Sequence, residues 1–346
     1  MKAMVLEAFG GVENFHLREL PLPEPGTGEV RLRIQAFSVN PVDIKMREGR
    51  IPGPVPVVLG RDIAGVVDEV GEGVSGLKRG DPVVAVLSGP RSNGAYAEYV
   101  TTPAAFVTPK PKGISNEQGA ALGVAGLTAY EAVVRKGHIQ AGEAALVAGG
   151  AGGVGSMVIQ LLQHYGSSPI LVTSGSAESA EYLTSALGVP PDQLVQYPGR
   201  SLDQLEAQVR EMSGGKGVAA AFDLVGDEMK KLCLRSLDYD GRVMSIVEEE
   251  SMDFEFDIWR PAVSPLWPKS GSFHYVAMSA RARSENPDDW RVYPEMWKAL
   301  TRLLEEGRIK PPPITSMGVM SEANLRKAHT LLGTGHVKGK LVLQVD

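Results

Sequence analysis

Gly149-Gly150-Ala151-Gly152-Gly153-Val154-Gly155 follows the apolar run Ala144-Ala145-Leu146-Val147 and leads directly into Ser156-Met157-Val158-Ile159-Gln160-Leu161-Leu162. The pattern reads as a strand, a glycine turn and a helix. Gly150, Gly152 and Gly155 keep the spacing G-x-G-x-x-G. In that spacing the first glycine permits a tight turn, the second lets backbone approach a pyrophosphate, and the third packs helix on strand. The phosphates would rest on the free N–H groups of the helix's first turn, so Gly153 and Val154 join the candidate contacts. A bare helix cap or a flexible turn also uses glycine, and the flanking strand and helix are what favour the nucleotide reading.

Working outward, the alternation continues. Strand candidates at 144–147, 170–173, 194–196, 218–225, 242–247 and 272–278 are separated by helical stretches at 154–165, 177–187, 201–212 and 227–236. Strands alternating with helices predict an α/β fold with a doubly wound parallel sheet, here a dinucleotide-binding domain over 121–306. Residues 1–120 instead carry short apolar runs broken by prolines and glycines, such as the period-two Glu29-Val30-Arg31-Leu32-Arg33-Ile34, and read as a β-barrel-like domain. A helix over 293–306, the stiff connector Pro311-Pro312-Pro313, a short helix at 323–332 and a strand at 340–345 follow. The segment 307–346 is expected to return and complete the first domain.

The chain has 346 residues, which favours two domains over one core. With 43% hydrophobic and 22% charged residues it has the composition of a globular protein, not a disordered one. The net charge is −6 and no stretch concentrates Lys and Arg, so neither nucleic acid nor an anionic membrane is an expected partner. Small molecules remain. The one cysteine, Cys233, excludes an internal disulfide and any multi-cysteine metal cluster, and its apolar neighbours make it a buried filler. No signal-peptide core and no run of about 18 apolar residues is present, so a cytoplasmic protein is expected.

In this order the segments resemble the medium-chain dehydrogenase/reductase superfamily, specifically its zinc-independent quinone oxidoreductase (zeta-crystallin-like) branch. The carriers are Asn40-Pro41-Val42-Asp43, Gly60-Arg61-Asp62-Ile63-Ala64-Gly65, Asn93-Gly94-Ala95-Tyr96-Ala97-Glu98-Tyr99, Gly126-Leu127-Thr128-Ala129-Tyr130, the glycine turn, Gly214-Gly215-Lys216-Gly217-Val218 and Gly339-Lys340. The resemblance implies a GroES-like catalytic domain (1–120 and 307–346) and a Rossmann domain (121–306). The zinc ligands of the family's metal enzymes would match Asn40, Arg61 and Val124, and an amide, a cation and an apolar side chain cannot replace thiolate, imidazole or carboxylate. No metal is expected.

Cofactor preference rests on the end of the second strand, where a carboxylate would bind a ribose 2′-OH. That place reads Val172-Thr173-Ser174-Gly175-Ser176, with no acid before Glu178, which points to NADPH (NADP). The Lys that the family often places a few residues on is replaced by Glu178-Ser179, and Arg200 is a candidate substitute. By resemblance, Asn40 and Lys45 face the nicotinamide ribose and substrate and are the catalytic candidates. Thr128 faces the carboxamide, and Tyr197, Val225, Val247, Tyr275 and Lys340 complete the expected cofactor contacts. For Lys45 a merely solvated cation is an equal alternative.

A nicotinamide hydride needs an electron-poor carbon, and negative charge then builds on oxygen. Without zinc, donors such as Lys45, the Asn40 amide or backbone N–H groups must stabilise it. The sequence shows no obvious general acid; Tyr96, Tyr130 and Tyr275 are candidates, with water as the alternative. His274 and His329 are expected to be structural. The run Val247-Glu248-Glu249-Glu250 departs from the family's small or apolar residues and weighs against acyl-CoA substrates. The expected function is a zinc-free NADPH-dependent reductase of quinones or α,β-unsaturated carbonyl compounds. The alternatives are a 2-enoyl thioester reductase, with Arg281, Arg283 and Arg291 as phosphate contacts, and a non-catalytic NADPH-binding protein. A homodimer through strand 271–277 is expected from the resemblance.

Overall fold

A computed structural model describes residues 1–88, 92–248 and 263–346. The chain divides into two compact units, Met1–Leu127 with Met278–Asp346, and Thr128–Ala277. Among the described residues no helix is long and apolar enough to cross a membrane.

The first unit is built around the strand Glu29–Val39, whose alternating side chains put Val30, Leu32 and Ile34 in the core. It pairs antiparallel with Asp62–Val70 along one side, and with Tyr99–Pro103 and Lys340–Gln344 in succession along the other. Lys340–Gln344 thus returns to the first sheet, Leu341 lying opposite Val39. Ile314–Val319 extends that edge in parallel, and Pro82–Val86 with Val107–Pro109 extends the other. Gly65 sits where a Cβ would lie 2.1 Å from the Arg33 carbonyl oxygen, so only glycine permits this crossing of strands. Lys2–Leu6, Phe15–Glu19 and Val57–Val58 form a separate small sheet. The helix Val292–Glu305 belongs to this unit: Tyr293 and the preceding Trp290 pack on Phe106, with ring centroids 4.8 and 5.3 Å away.

The second unit is a six-stranded, wholly parallel sheet. Its strands are Ala145–Ala148, Ile170–Ser174, Leu194–Gln196, Val218–Asp223, Leu237–Ser245 and Ser272–Tyr275, in the spatial order third, second, first, fourth, fifth, sixth. Ala145–Ala148 is buried on both faces, as parallel sheets covered by crossover helices require. The order reverses between the first and fourth strands, and ligands of such sheets bind outside the carboxyl ends there. The fifth strand starts at Leu237, earlier than the expected Arg242, and the sixth ends at Tyr275, short of the expected Met278.

Candidate active site

The glycine turn leaves the carboxyl end of Ala145–Ala148 and caps the helix Gly153–His164. Gly149 has φ +87°, a conformation that side chains disfavour. Gly155 touches the turn itself: a Cβ there would lie 2.2 Å from the Gly149 carbonyl oxygen. Gly150 is equally confined, its missing Cβ lying 2.4 Å from Val172. Gly152 differs. A Cβ on it would meet only the Gly149 carbonyl oxygen at 3.7 Å, so a side chain would project into the space in front of the helix's free N–H groups. Gly153 and Val154 form the first turn, half-buried. A pyrophosphate fits this cradle, held by backbone N–H groups and the positive end of the helix.

Beside the turn, Val225 is half exposed and its side chain overhangs Gly149. At the end of the second strand Ser174 is buried and its hydroxyl donates to the Ser176 carbonyl, 3.1 Å away. Tyr197 lies over Gly175, where a Cβ would stand 2.2 Å from the phenol oxygen. Ser174, Gly175 and Tyr197 are thus brought together with no carboxylate among them. Arg200 is exposed and its guanidinium donates to Gln208 at 2.5 Å.

Beyond the fourth and fifth strands lies a network that sequence reading missed. Asp223 is fully buried; its carboxylate accepts from the backbone of Gly226 (2.8 Å) and from the Ser245 hydroxyl (2.6 Å), with the Lys230 ammonium 3.8 Å away. Lys230, itself 3% exposed, donates to the Val247 carbonyl. This ion pair holds the segments that carry Val225 and Val247. An acid closing the apolar run Val218-Ala219-Ala220-Ala221-Phe222 was the available signal. Tyr275 is 59% exposed beyond Ser245. Glu248 is exposed, and Glu249 and Glu250 lie outside the described residues. Thr128 is buried in the helix Gly123–Tyr130.

In the first unit, Asn40 precedes the helix Pro41–Arg47, with Pro41 at the helix's first position. Asn40 is 2% exposed and both ends of its amide are used. It donates to Asp62 (2.9 Å) and accepts from the Lys340 ammonium (2.5 Å). Lys340 also reaches the Val39 carbonyl at 3.4 Å and Asp62 at 3.3 Å. Asp62 further accepts from the Ser38 hydroxyl and from the backbone of Val124 at 2.6 Å. Asn40 and Lys340, expected at the cofactor, therefore meet each other in a buried hub. Lys45 is half-buried and its side chain makes no hydrogen bond or ion pair among the described residues.

A second buried chain runs alongside. The Tyr96 hydroxyl donates to Asp43 at 3.0 Å and stands 3.1 Å from His329 Nε2. Asp43 also accepts from the Asn40 backbone at 2.8 Å, closing the first turn of the helix. Asp43 Oδ1 and His329 Nδ1 are buried without partners. Burial pushes the Asp43 carboxyl up to about 6, against the pull of Arg61. It pushes the Tyr96 phenol well above its ordinary value, helped by Asp43, so Tyr96 is a poor proton donor to substrate. It holds His329 down to about 3, with Arg47 adding to the effect. His274 is also lowered, chiefly by burial and then by Lys136 and Arg242, and its ring meets the Ser272 hydroxyl.

Three comparisons bear on this arrangement. The sequence profile of the alcohol dehydrogenase GroES-like domain matches residues 26–112, and that of the zinc-binding dehydrogenase matches 153–262. The NADPH-dependent alkenal/one oxidoreductase of Arabidopsis thaliana is 32% identical over 353 residues, 99% of this chain and 79% of that one. The chain belongs to the medium-chain dehydrogenase/reductase superfamily. Within it, the chain falls in the zinc-independent quinone oxidoreductase-like branch. The human quinone oxidoreductase is 32% identical over 251 residues, 71% of this chain and 73% of its own. A mycobacterial protein solved in complex with NADPH superimposes with a TM-score of 0.84 at 28% identity, covering 99% of this chain and all of that one. The superfamily's GroES-like and Rossmann-type architectures are the first and second units described above. Among the described residues no group of three His, Cys, Asp or Glu could hold a metal ion, although one matching profile is named for zinc.

Proposed function

We propose that this protein is a zinc-free, NADPH-dependent reductase that reduces quinones or α,β-unsaturated carbonyl compounds. The observation that carries it is the pairing of an open cradle at Gly152 with an acid-free strand end at Ser174. A ribose 2′-phosphate would meet hydroxyls there, not a carboxylate. The relatives named for NADPH-dependent alkenal/one and quinone reduction support the same cofactor and acceptors.

Bound NADPH supplies a hydride equivalent from its reduced nicotinamide. The chain's part is to hold and orient. Gly153 and Val154 present backbone N–H groups to the pyrophosphate, Gly152 leaves the approach to them open, Ser174 and Tyr197 border the adenosine end, and Val225, Val247 and Tyr275 stand at the sheet's carboxyl edge. Thr128 is assigned to the carboxamide. In the first unit, Lys45 offers substrate an ammonium that has no partner among the described residues. Asn40 is held by Asp62 and Lys340, which makes it a positioning residue for the helix that carries Lys45. Lys340 acts in the same way and not as a direct cofactor ligand. Mixing the protein with NADPH and a panel of small quinones and enones is expected to consume the reduced-nicotinamide absorbance. No turnover with any of them overturns the proposal, and turnover confined to enoyl thioesters moves it to the thioester class.

The same reading includes a homodimer through the edge strand Ser272–Tyr275. Among the described residues that strand ends the sheet and its outer edge pairs with no other strand, and Tyr275 stands exposed on it.

A further inference from the structure

Among the described residues, Arg61 has a guanidinium that no carboxylate bonds, although the Asp43 carboxyl is near enough to feel its charge. Its side chain is half-buried, and its Nε is sealed from solvent without a hydrogen-bond partner. Among the described residues its guanidinium donates to one atom only, the Met46 thioether sulfur at 3.5 Å. A thioether is a weak acceptor, and a guanidinium carries five donors. Buried or half-buried cations normally sit against carboxylates. Two carboxylates are near. Asp62, the next residue, is fully committed to Ser38, Asn40, Lys340 and Val124. Asp43 is close enough to feel the Arg61 charge, yet its Oδ1 remains unpartnered, so the two do not bond.

The position is fixed from both sides. Gly60 (φ +97°) packs on the Tyr96 ring, where a Cβ would lie 2.5 Å away, and the Arg61 carbonyl accepts from the Leu87 backbone. Met46 anchors the far end from the helix Pro41–Arg47, one residue after Lys45. Among the described residues, neither Arg61, just ahead of the strand Asp62–Val70, nor Lys45, in the helix whose Met46 touches Arg61, has an ion-pair partner.

We propose that Arg61 binds the substrate oxygen on which negative charge develops, making it, with Lys45, an oxyanion site for planar, delocalised anions such as enolates and hydroquinone monoanions. This rests on the reductase reading above, in which Lys45 faces substrate. In the reaction the substrate carbon gains a hydride with its electron pair from NADPH, which becomes NADP⁺. The π pair moves to the carbonyl oxygen, and a proton from water then gives the neutral product. A planar fork of donors suits that oxygen better than a point charge.

The probe is 4-nitrophenolate above its pKa, a planar oxyanion that cannot accept hydride at its ring oxygen. Its absorbance shift is followed on the full-length protein with and without NADP⁺. Wild type is expected to bind it, Arg61→Gln to bind at least tenfold more weakly, and Arg61→Lys to fall between. Arg61→Gln keeps size and polarity, and Arg61→Leu gives a second neutral variant should either misfold. With an enone, Arg61→Gln is expected to lower kcat about 10²-fold with KM little changed, the sign of an interaction made in the transition state. Equal nitrophenolate binding by wild type and Arg61→Gln, or no binding by wild type, overturns the assignment even where reductase activity is found. Binding through Arg61 without turnover of any quinone or enone overturns the reductase reading and leaves the oxyanion site standing.

Discussion

Asp43 and His329 titrate in opposite senses from the two sides of one phenol. The folded carboxyl keeps its proton up to about 6, above the ordinary 3.8, so its contribution to stability is complete below that lower value and is lost as pH rises to about 6. The folded imidazole stays neutral down to about 3, whereas an unfolded one protonates below 6.5, so its contribution falls as pH drops through that range. Between pH 4 and 6 the two oppose each other, each with a slope of at most about 1.4 kcal/mol per pH unit. Asp43→Asn is therefore expected to lose about 2–3 kcal/mol relative to wild type on going from pH 6 to 4, and His329→Gln to gain a comparable amount. Urea unfolding at several pH values checks this, and parallel profiles for all three proteins would refute the coupling. Little of it was legible in the sequence. In the sequence Asp43 stands out only within Asn40-Pro41-Val42-Asp43, and Tyr96 only as a candidate donor; that they share a proton chain with a residue 233 positions beyond Tyr96 depends on three distant segments meeting.

The glycine turn is legible because its geometry is local: strand end, turn and helix cap are neighbours in the chain. Its glycines nonetheless do different work, and substitution separates them. Gly155→Ala drives a methyl into the Gly149 carbonyl and the Gly150 backbone, with no flexible side chain to yield. It is expected to cost about 2 kcal/mol or more of stability. Gly152→Ala meets nothing closer than 3.7 Å and is expected to fold as wild type. Its methyl would stand in the proposed pyrophosphate seat, so NADPH affinity should fall at least about tenfold, or about 1.4 kcal/mol. Thermal unfolding and calorimetric titration read the two effects; a Gly152→Ala protein with unchanged affinity would move the phosphates elsewhere. Strand limits were less legible than the turn. Asp238-Tyr239-Asp240-Gly241 has turn chemistry, and Asp240 does adopt φ +57°, yet the strand begins at Leu237 because Leu237 pairs with Val218 across a register shift. Pairing overrides local preference. Likewise the apolar face of Val292–Glu305 is evident from Trp297, Leu300 and Leu303, but that Phe106 lies beside its start is a tertiary fact.

At the scale of the whole molecule, the dimer proposal makes the molecule's mass a test. Tyr275→Asp places a charge on the exposed edge strand, where self-pairing would bring it against its own copy. Light scattering is expected to give twice the chain mass for wild type and a monomer for the variant, with the reduced-nicotinamide assay following any change in activity. A monomeric wild type removes the dimer from the proposal.

The sequence by itself determined the β-rich first unit, the parallel-sheet second unit, their order along the chain and the glycine turn, because periodicity and turn residues act over a few neighbours, and the resemblance set Asn40, Arg61 and Val124 against the family's zinc ligands. Only the tertiary structure decided which polar side chains are spent and which are free. It tied Asn40 and Lys340 to Asp62, tied Tyr96 to Asp43 and His329, held Val247 through Lys230, and left Arg61 without a bonded carboxylate among the described residues. The physical reason is that a buried polar group is defined by its partners, and those partners come from segments up to 300 residues apart.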